Sequence, residues 1–228
     1  GVRLVGSEMC IRDRYKREAA LLSVPHACLF TWHHWFIDAL REVTMAAHYT
    51  LHIGSAGGGV TSTPNRGETW DVSGGSVPPE CTVRALSAYP DDPHRILAGS
   101  DAGLFRSENN GLTYKLLDTP MGDLQIWSLT VDPNNQDILY AGTCPEAFRS
   151  TNGGKNWEKM SIPVEIPSPL GIPRTTNLIV DPRDSCTIWA GIEVGGVGKS
   201  LDRGDTWVQA SDLGDDPFHG DVHGMVLR

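Results

Sequence analysis

An eight-residue pattern occurs four times in this chain, and it limits the possible folds more than any other feature. It reads Thr63-Pro64-Asn65-Arg66-Gly67-Glu68-Thr69-Trp70, then Ser107-Glu108-Asn109-Asn110-Gly111-Leu112-Thr113-Tyr114, then Ser150-Thr151-Asn152-Gly153-Gly154-Lys155-Asn156-Trp157, and last Ser200-Leu201-Asp202-Arg203-Gly204-Asp205-Thr206-Trp207. The common form is Ser or Thr, any residue, Asp or Asn, any residue, Gly, any residue, Thr or Asn, and Trp or Tyr. These parts suit a tight turn between two strands. The Asp or Asn side chain accepts backbone N–H groups, the glycine supplies a positive φ, and the aromatic residue anchors the outgoing strand. The first residues of successive copies are 44, 43 and 50 positions apart. Such a period is that of propeller blades.

Short alternating segments surround each copy. Tyr49 to Ile53 and Gly59 to Ser62 precede the first octapeptide, with a loop at Gly54 to Gly58 between them. The second unit offers Thr82 to Ala88, Arg95 to Ala98, a loop at Gly99 to Gly103, Leu104 to Ser107, the octapeptide and Tyr114 to Leu117. The third repeats this with Gln125 to Val131, Ile138 to Ala141, Gly142 to Glu146 as loop, Ala147 to Ser150 and Trp157 to Met160. The fourth does so with Thr176 to Val180, Thr187 to Ala190, Gly191 to Gly196 as loop, Val197 to Ser200 and Trp207 to Ala210. Four short strands per unit at regular spacing predict an all-β chain, a β-propeller of four-stranded antiparallel blades with about four blades present. Asp221 to Leu227 reads as the inner strand of a further blade. It either completes the first unit, which begins at a second strand, or belongs to a larger propeller of about six to eight blades that continues beyond this chain. The latter is the expectation here, with residues 45–228 as the propeller domain, incomplete at its C-terminal end.

Residues 1–44 do not fit the repeat. Gly1 to Arg14 resembles translated adapter read-through and is set aside from fold reasoning, and Met45 reads as the start of the propeller. Trp32, Trp35, Phe36, Leu40 and Val43 have roughly helical spacing, so a short helix is expected there. Residues 15–30 give an alternative reading as a signal peptide, because Lys16 and Arg17 precede an apolar run that Pro25 and His26 interrupt. The five cysteines, Cys10, Cys28, Cys81, Cys144 and Cys186, are odd in number and far apart. They read as unpaired thiols of a reducing compartment, which predicts a cytoplasmic protein, or a secreted or periplasmic one if the signal peptide is real. The net charge of −9 argues against a nucleic-acid partner, and no run of apolar residues is long enough for a membrane span.

The octapeptides resemble the Asp-box, or BNR, repeat, and the resemblance covers roughly residues 49–228. It implies a propeller like those of sialidases, sortilin-type receptors, xyloglucan-degrading hydrolases and the propeller-type photosystem II assembly factor. In that family the box is a structural turn away from the ligand face. The structural box residues are then Thr63, Asn65, Gly67 and Trp70; Ser107, Asn109, Gly111 and Tyr114; Ser150, Asn152, Gly154 and Trp157; and Ser200, Asp202, Gly204 and Trp207. Three copies carry Asn where the family prefers Asp, and one ends in Tyr. The aromatic-Arg-aliphatic-Pro segment that sialidases place ahead of the first box is absent, because Gly54 to Val60 occupies that position.

Topology also assigns the two faces. The box joins the third and fourth strands of a blade, so the opposite face gathers the second-to-third loops and the inter-blade loops. A small molecule, a glycan or a protein is expected to bind at that loop-lined mouth, with no cofactor. Candidate ligand-binding residues there are Arg84, Arg174, Asp216, His219, Asp221 and His223; the arginines suit an anionic group. At strand period two, His219, Asp221 and His223 point the same way. That pattern matches a facial metal triad, but a polar contact or structural role ranks above it, and no metal is expected. Glu146 and Glu193 occupy equivalent loops of adjacent blades. With Asp101 they are candidate catalytic carboxylates if the chain is a glycoside hydrolase, whose chemistry needs one acid and one base or nucleophile. The expected function is a binding scaffold, with a glycosidase, sialidase-like or otherwise, as one alternative and an assembly factor of the photosystem II type as another. Trp127 and Trp189 fall in strands, where core packing is the first expectation.

Overall fold

The structure is a computed structural model that describes residues 49–72, 76–144, 146–164, 171–210 and 220–228. The leader, with its expected helix and its signal-peptide alternative, lies outside these residues. So do Asp216 and His219.

Fifteen strands form four antiparallel sheets, each a run of neighbours in chain order. The first sheet holds β1 (Leu51–Gly54), β2 (Val60–Thr63) and β3 (Asp71–Val72). The second holds β4 (Val83–Ala88), β5 (Ile96–Ser100), β6 (Gly103–Ser107) and β7 (Lys115–Leu116). The third holds β8 (Ile126–Val131), β9 (Leu139–Thr143), β10 (Ala147–Ser150) and β11 (Glu158–Met160). The fourth holds β12 (Arg174–Asp181), β13 (Asp184–Glu193), β14 (Gly196–Ser200) and β15 (Val208–Gln209). Inner strand β4 packs against β8, β8 against β12, and β1 against β4. This is an arc of β-propeller blades in the order the sequence predicts.

Each octapeptide closes the turn into a blade's last strand through the same hydrogen bonds. In the second copy, Ser107 Oγ donates to Asn109 Oδ1 at 3.0 Å and accepts the Gly111 N–H at 2.9 Å, while Asn109 Oδ1 also accepts the Thr113 N–H at 3.0 Å. The fourth copy makes these bonds with Asp202 at 2.7, 2.8 and 2.8 Å. The backbone turns through two consecutive left-handed residues, such as Arg203 (φ 62) and Gly204 (φ 93). Three copies place a non-glycine at the first of these, an arginine or an asparagine, so only the second depends on glycine. Asn serves as well as Asp because what the turn requires is an acceptor oxygen, not a charge.

The core is divided among the blade junctions. One buried cluster joins Val60 to Val83, Ile96, Ala98, Phe105 and Tyr114. Another joins Tyr89, Leu97 and Leu104 to Ile126, Leu139, Ala141 and Phe148. A third joins Ile138, Tyr140 and Met160 to Leu178, Ile188, Ile192 and Trp207. The octapeptide aromatic plugs its own blade onto the one before it, as Trp207 does beside Met160. Trp70, whose blade has no predecessor among the described residues, is 46% exposed. Burying such a side chain contributes about 1.5–3 kcal/mol, so the junctions supply much of the stability.

Two strand assignments differ from the sequence reading. Gly99, Gly142 and Gly191 begin loops in that reading, yet each lies inside the second strand of its blade. A Cβ on Gly99 would fall 2.9 Å from Ile126 Cβ, one on Gly142 2.8 Å from Thr175 Cγ2, and one on Gly191 2.9 Å from Val222 Cγ1. These glycines let the next blade's inner strand approach. Opposite each one, the blade's own inner strand carries a bulge, and the extra residues are Arg84, Trp127 and Thr176. The second difference concerns Asp221 to Leu227, which is expected as a strand but forms none. It still takes the next inner strand's place. The Thr176 hydroxyl donates to the Val222 carbonyl at 2.7 Å, the Val222 N–H to Ile192 O at 3.4 Å, and the Met225 N–H to Asn177 Oδ1 at 3.2 Å. Its described hydrogen bonds run to the fourth blade. No helix among the described residues is long and apolar enough to cross a membrane.

Candidate functional site

The bulges decide what reaches the mouth of the arc. A bulge adds one residue to a strand and re-aims its side chain, here at the inner-strand ends that border the second-to-third loops. Arg84 and Trp127 occupy this position in adjacent blades and meet there. The Arg84 guanidinium carbon stands 4.8 Å from the Trp127 ring centroid, and that of Arg174, at the start of β12, stands 5.0 Å from it. Three consecutive blades therefore supply one guanidinium–indole–guanidinium group. Cation–π contacts of this kind contribute about 0.5–2 kcal/mol each.

The two arginines are held differently. Arg174 Nη1 donates to Glu193 Oε1 at 2.5 Å, and this hydrogen bond to the carboxylate raises the Arg174 pKa further. Arg84 lies 3.6 Å from Asp101 Oδ2 and makes one long bond, 3.4 Å, to the Thr82 carbonyl. Asp101 is committed elsewhere, since its Oδ1 accepts the Thr82 N–H at 2.9 Å. Burial pushes the Asp101 carboxyl up, but the Thr82 N–H, its own N–H and Arg84 more than offset this and leave it below the usual carboxylate value.

Beside Arg174, the segment after Gly220 brings in Asp221 and His223. One ligand-type atom from each of Glu193, Asp221 and His223 lies within 4.8 Å of the others, and His223 Nε2 is 3.3 Å from Asp221 Oδ2. Two carboxylates and an imidazole are a donor set of the kind divalent metals accept. Here Glu193 is engaged by Arg174, and Asp221 by His223. Val194, next to Glu193, sits at φ 59, a conformation strained for a β-branched residue. Such strain is common at binding loops.

The structure brings together Arg84, Arg174, Glu193, Asp221 and His223 from the sequence-predicted residues, with Asp101 at the margin. It does not pair Glu146 with Glu193. The Glu146 carboxylate turns outward to the Lys159 ammonium on β11, whereas Glu193 turns inward to Arg174. Loop equivalence fixes where two backbones lie and leaves the side chains free to choose partners. Trp127 was missed as a site residue because its alternation reads as core packing; the structure leaves it only partly buried, its indole N–H without a partner. The usable signal was the glycine in the neighbouring strand.

A second concavity of about 450 Å³ lies on the other face, between β1 and β4, lined by Tyr49, His52, Leu86, His94 and Asn110 among others. His52 Nε2 is 3.4 Å from Asn110 Oδ1, and burial lowers the His52 pKa.

No protein-family model matches this chain, and no curated protein does. Solved propellers do. An ancestral GH74 enzyme superposes with a TM-score of 0.58 at 22% identity, over 73% of this chain and 23% of the enzyme. The GH74 enzyme of Niastella koreensis gives 0.53 at 20% identity, over 73% and 28%. The extracellular domain of BT4673 from B. thetaiotaomicron gives 0.54 at 16% identity, over 70% and 20%. The chain thus spans less than a third of each, and at these identities the likeness concerns the fold.

Proposed function

We propose that this chain is an Asp-box β-propeller that works as a binding scaffold, taking a polar ligand at the loop-lined mouth where Arg84, Trp127 and Arg174 meet. The observation that carries this reading is the convergence of three inner strands on one partly exposed polar and aromatic group, two of whose members, Arg84 and Trp127, sit at bulges that sheet pairing alone does not need. Rigid scaffolds present binding groups in this way.

The glycoside hydrolase alternative asks for a carboxyl that holds its proton near neutral pH facing a second, ionised one. Glu146, Glu193 and Asp101 are each engaged by a cation, and Asp101 is held below its usual value. That supports a binder over an enzyme. An assembly-factor role would use the same mouth for a protein partner.

Glycan and peptide arrays probed with the wild-type chain and with Arg84→Ala and Trp127→Ala, beside a panel of aryl glycosides, test the reading. Array binding that both variants lose, with no glycoside turnover, is expected. Turnover that falls with Glu193→Gln or Asp101→Asn would replace it with the hydrolase.

A further inference from the structure

Resting on that reading, we infer that the mouth is an oxyanion site, with Arg84 as the residue that holds a carboxylate or phosphate group and Trp127 as the residue that positions it. A guanidinium offers five N–H donors in one plane, which match a two-oxygen anion when that plane is fixed and its edge is free. The Trp127 ring, 4.8 Å from the Arg84 guanidinium carbon, holds that guanidinium in place by a cation–π contact. The guanidinium edge is almost unused. Nη1 alone has contacts, the 3.4 Å bond to Thr82 O and the loose 3.6 Å approach to Asp101, and among the described residues Nε and Nη2 have no partner. The side chain remains 21% exposed, and none of its nitrogens is both buried and unpaired, so these donors face solvent.

Arg174 shows the contrasting state on the same ring. Its Nη1 is paired with Glu193 Oε1 at 2.5 Å, while its Nε is buried without a partner. Asp101 does not close Arg84 in the same way: its Oδ2 stays 3.6 Å from Nη1, while its Oδ1 accepts the Thr82 N–H. One guanidinium of the stack is thus already paired with a carboxylate of the protein, while the other has no close carboxylate among the described residues and can take an incoming anion. An oxyanion is the ligand that completes Arg84, since it accepts two parallel N–H bonds and carries the opposite charge.

The experiment follows the Arg Nε–Hε signals by nuclear magnetic resonance while glucuronate, inorganic phosphate or glucose is added to the intact chain. Saturable movement of the Arg84 signal with glucuronate, phosphate or both, and not with glucose, is expected; the anion that moves it more identifies the carboxylate or phosphate source. Arg84→Lys keeps the charge but loses the fork and is expected to weaken binding at least tenfold. Trp127→Phe should restore binding that Trp127→Ala loses, at equal circular dichroism, which a merely structural role would not produce. If glucose shifts mouth residues and neither anion moves Arg84, this inference is overturned while the scaffold reading stands. If Arg84→Lys binds as tightly as wild type, the inference also falls. If none of the three probes moves any mouth residue and the arrays are blank as well, both readings fall together.

Discussion

Replacing Gly142 by alanine isolates the rule that blades are packed through glycine windows. Gly142 lies in β9, opposite Ser128 across the bulge, and its φ is not left-handed, so the backbone itself accepts alanine. In an open strand the exchange would stabilise by about 0.5–1 kcal/mol, because glycine loses more freedom on folding. Here the new methyl would lie 2.8 Å from Thr175 Cγ2 and closer still to the Thr175 carbonyl and the Ser128 hydroxyl. The carbonyl is backbone of the neighbouring inner strand and cannot swing aside, so β12 must retreat and the Ser128–Thr175 hydrogen bond of 2.8 Å is disturbed. Overpacking of this kind costs about 1–3 kcal/mol. At about 2–4 °C per kcal/mol for a domain of this size, the midpoint should fall by roughly 2–12 °C. The assay is thermal and urea unfolding beside Gly224→Ala, whose new methyl has nothing within 4 Å and should shift stability by less than about 0.5 kcal/mol. A Gly142→Ala protein as stable as wild type, or more so, would refute the packing argument.

Other consequences follow from the turns and plugs. The Asp202 carboxyl, bonded by the Thr206 hydroxyl, the Thr206 N–H and the Ser200 hydroxyl, is pushed down to about 2. Its folded value lies below the unfolded one of about 3.9, so its contribution is complete above that pH and disappears as pH falls towards 2. A carbon-13 titration should show that midpoint, and Asp202→Asn should keep the turn, as the three Asn copies do, while removing the pH dependence. Ser107→Ala strands the Gly111 N–H in a buried turn and should cost about 1–3 kcal/mol in urea unfolding. Trp207→Ala, at 9% exposure, should cost about 3–5 kcal/mol, while Trp70→Ala, at the same octapeptide position but 46% exposed, should cost well under half of that.

The architecture was legible because its determinants are local. A Ser or Thr hydroxyl, an acceptor two residues on and a glycine two further make one turn wherever they occur, and four copies in period leave a propeller as the solution. The boundaries at Gly99, Gly142 and Gly191 were not legible, since a glycine after an alternating run reads as the start of a loop; here its meaning comes from a strand in another blade. The site suffered more from the same cause. Arg84, Asp221 and His223 were visible as polar residues on the right face, but Trp127 looks like any core aromatic until the bulge turns it to the mouth. The partners of Glu146 and Glu193 were hidden for a related reason: equivalent loops do not determine that one carboxylate meets Lys159 and the other Arg174.

The most direct test of the account is a hydrogen-exchange footprint of the chain saturated with its best array ligand. Protection confined to the starts of the inner strands, around residues 82–85, 125–128 and 174–177, is the predicted result. Protection centred on the octapeptide turns at 107–114 and 150–157, with those strand starts unchanged, would contradict it.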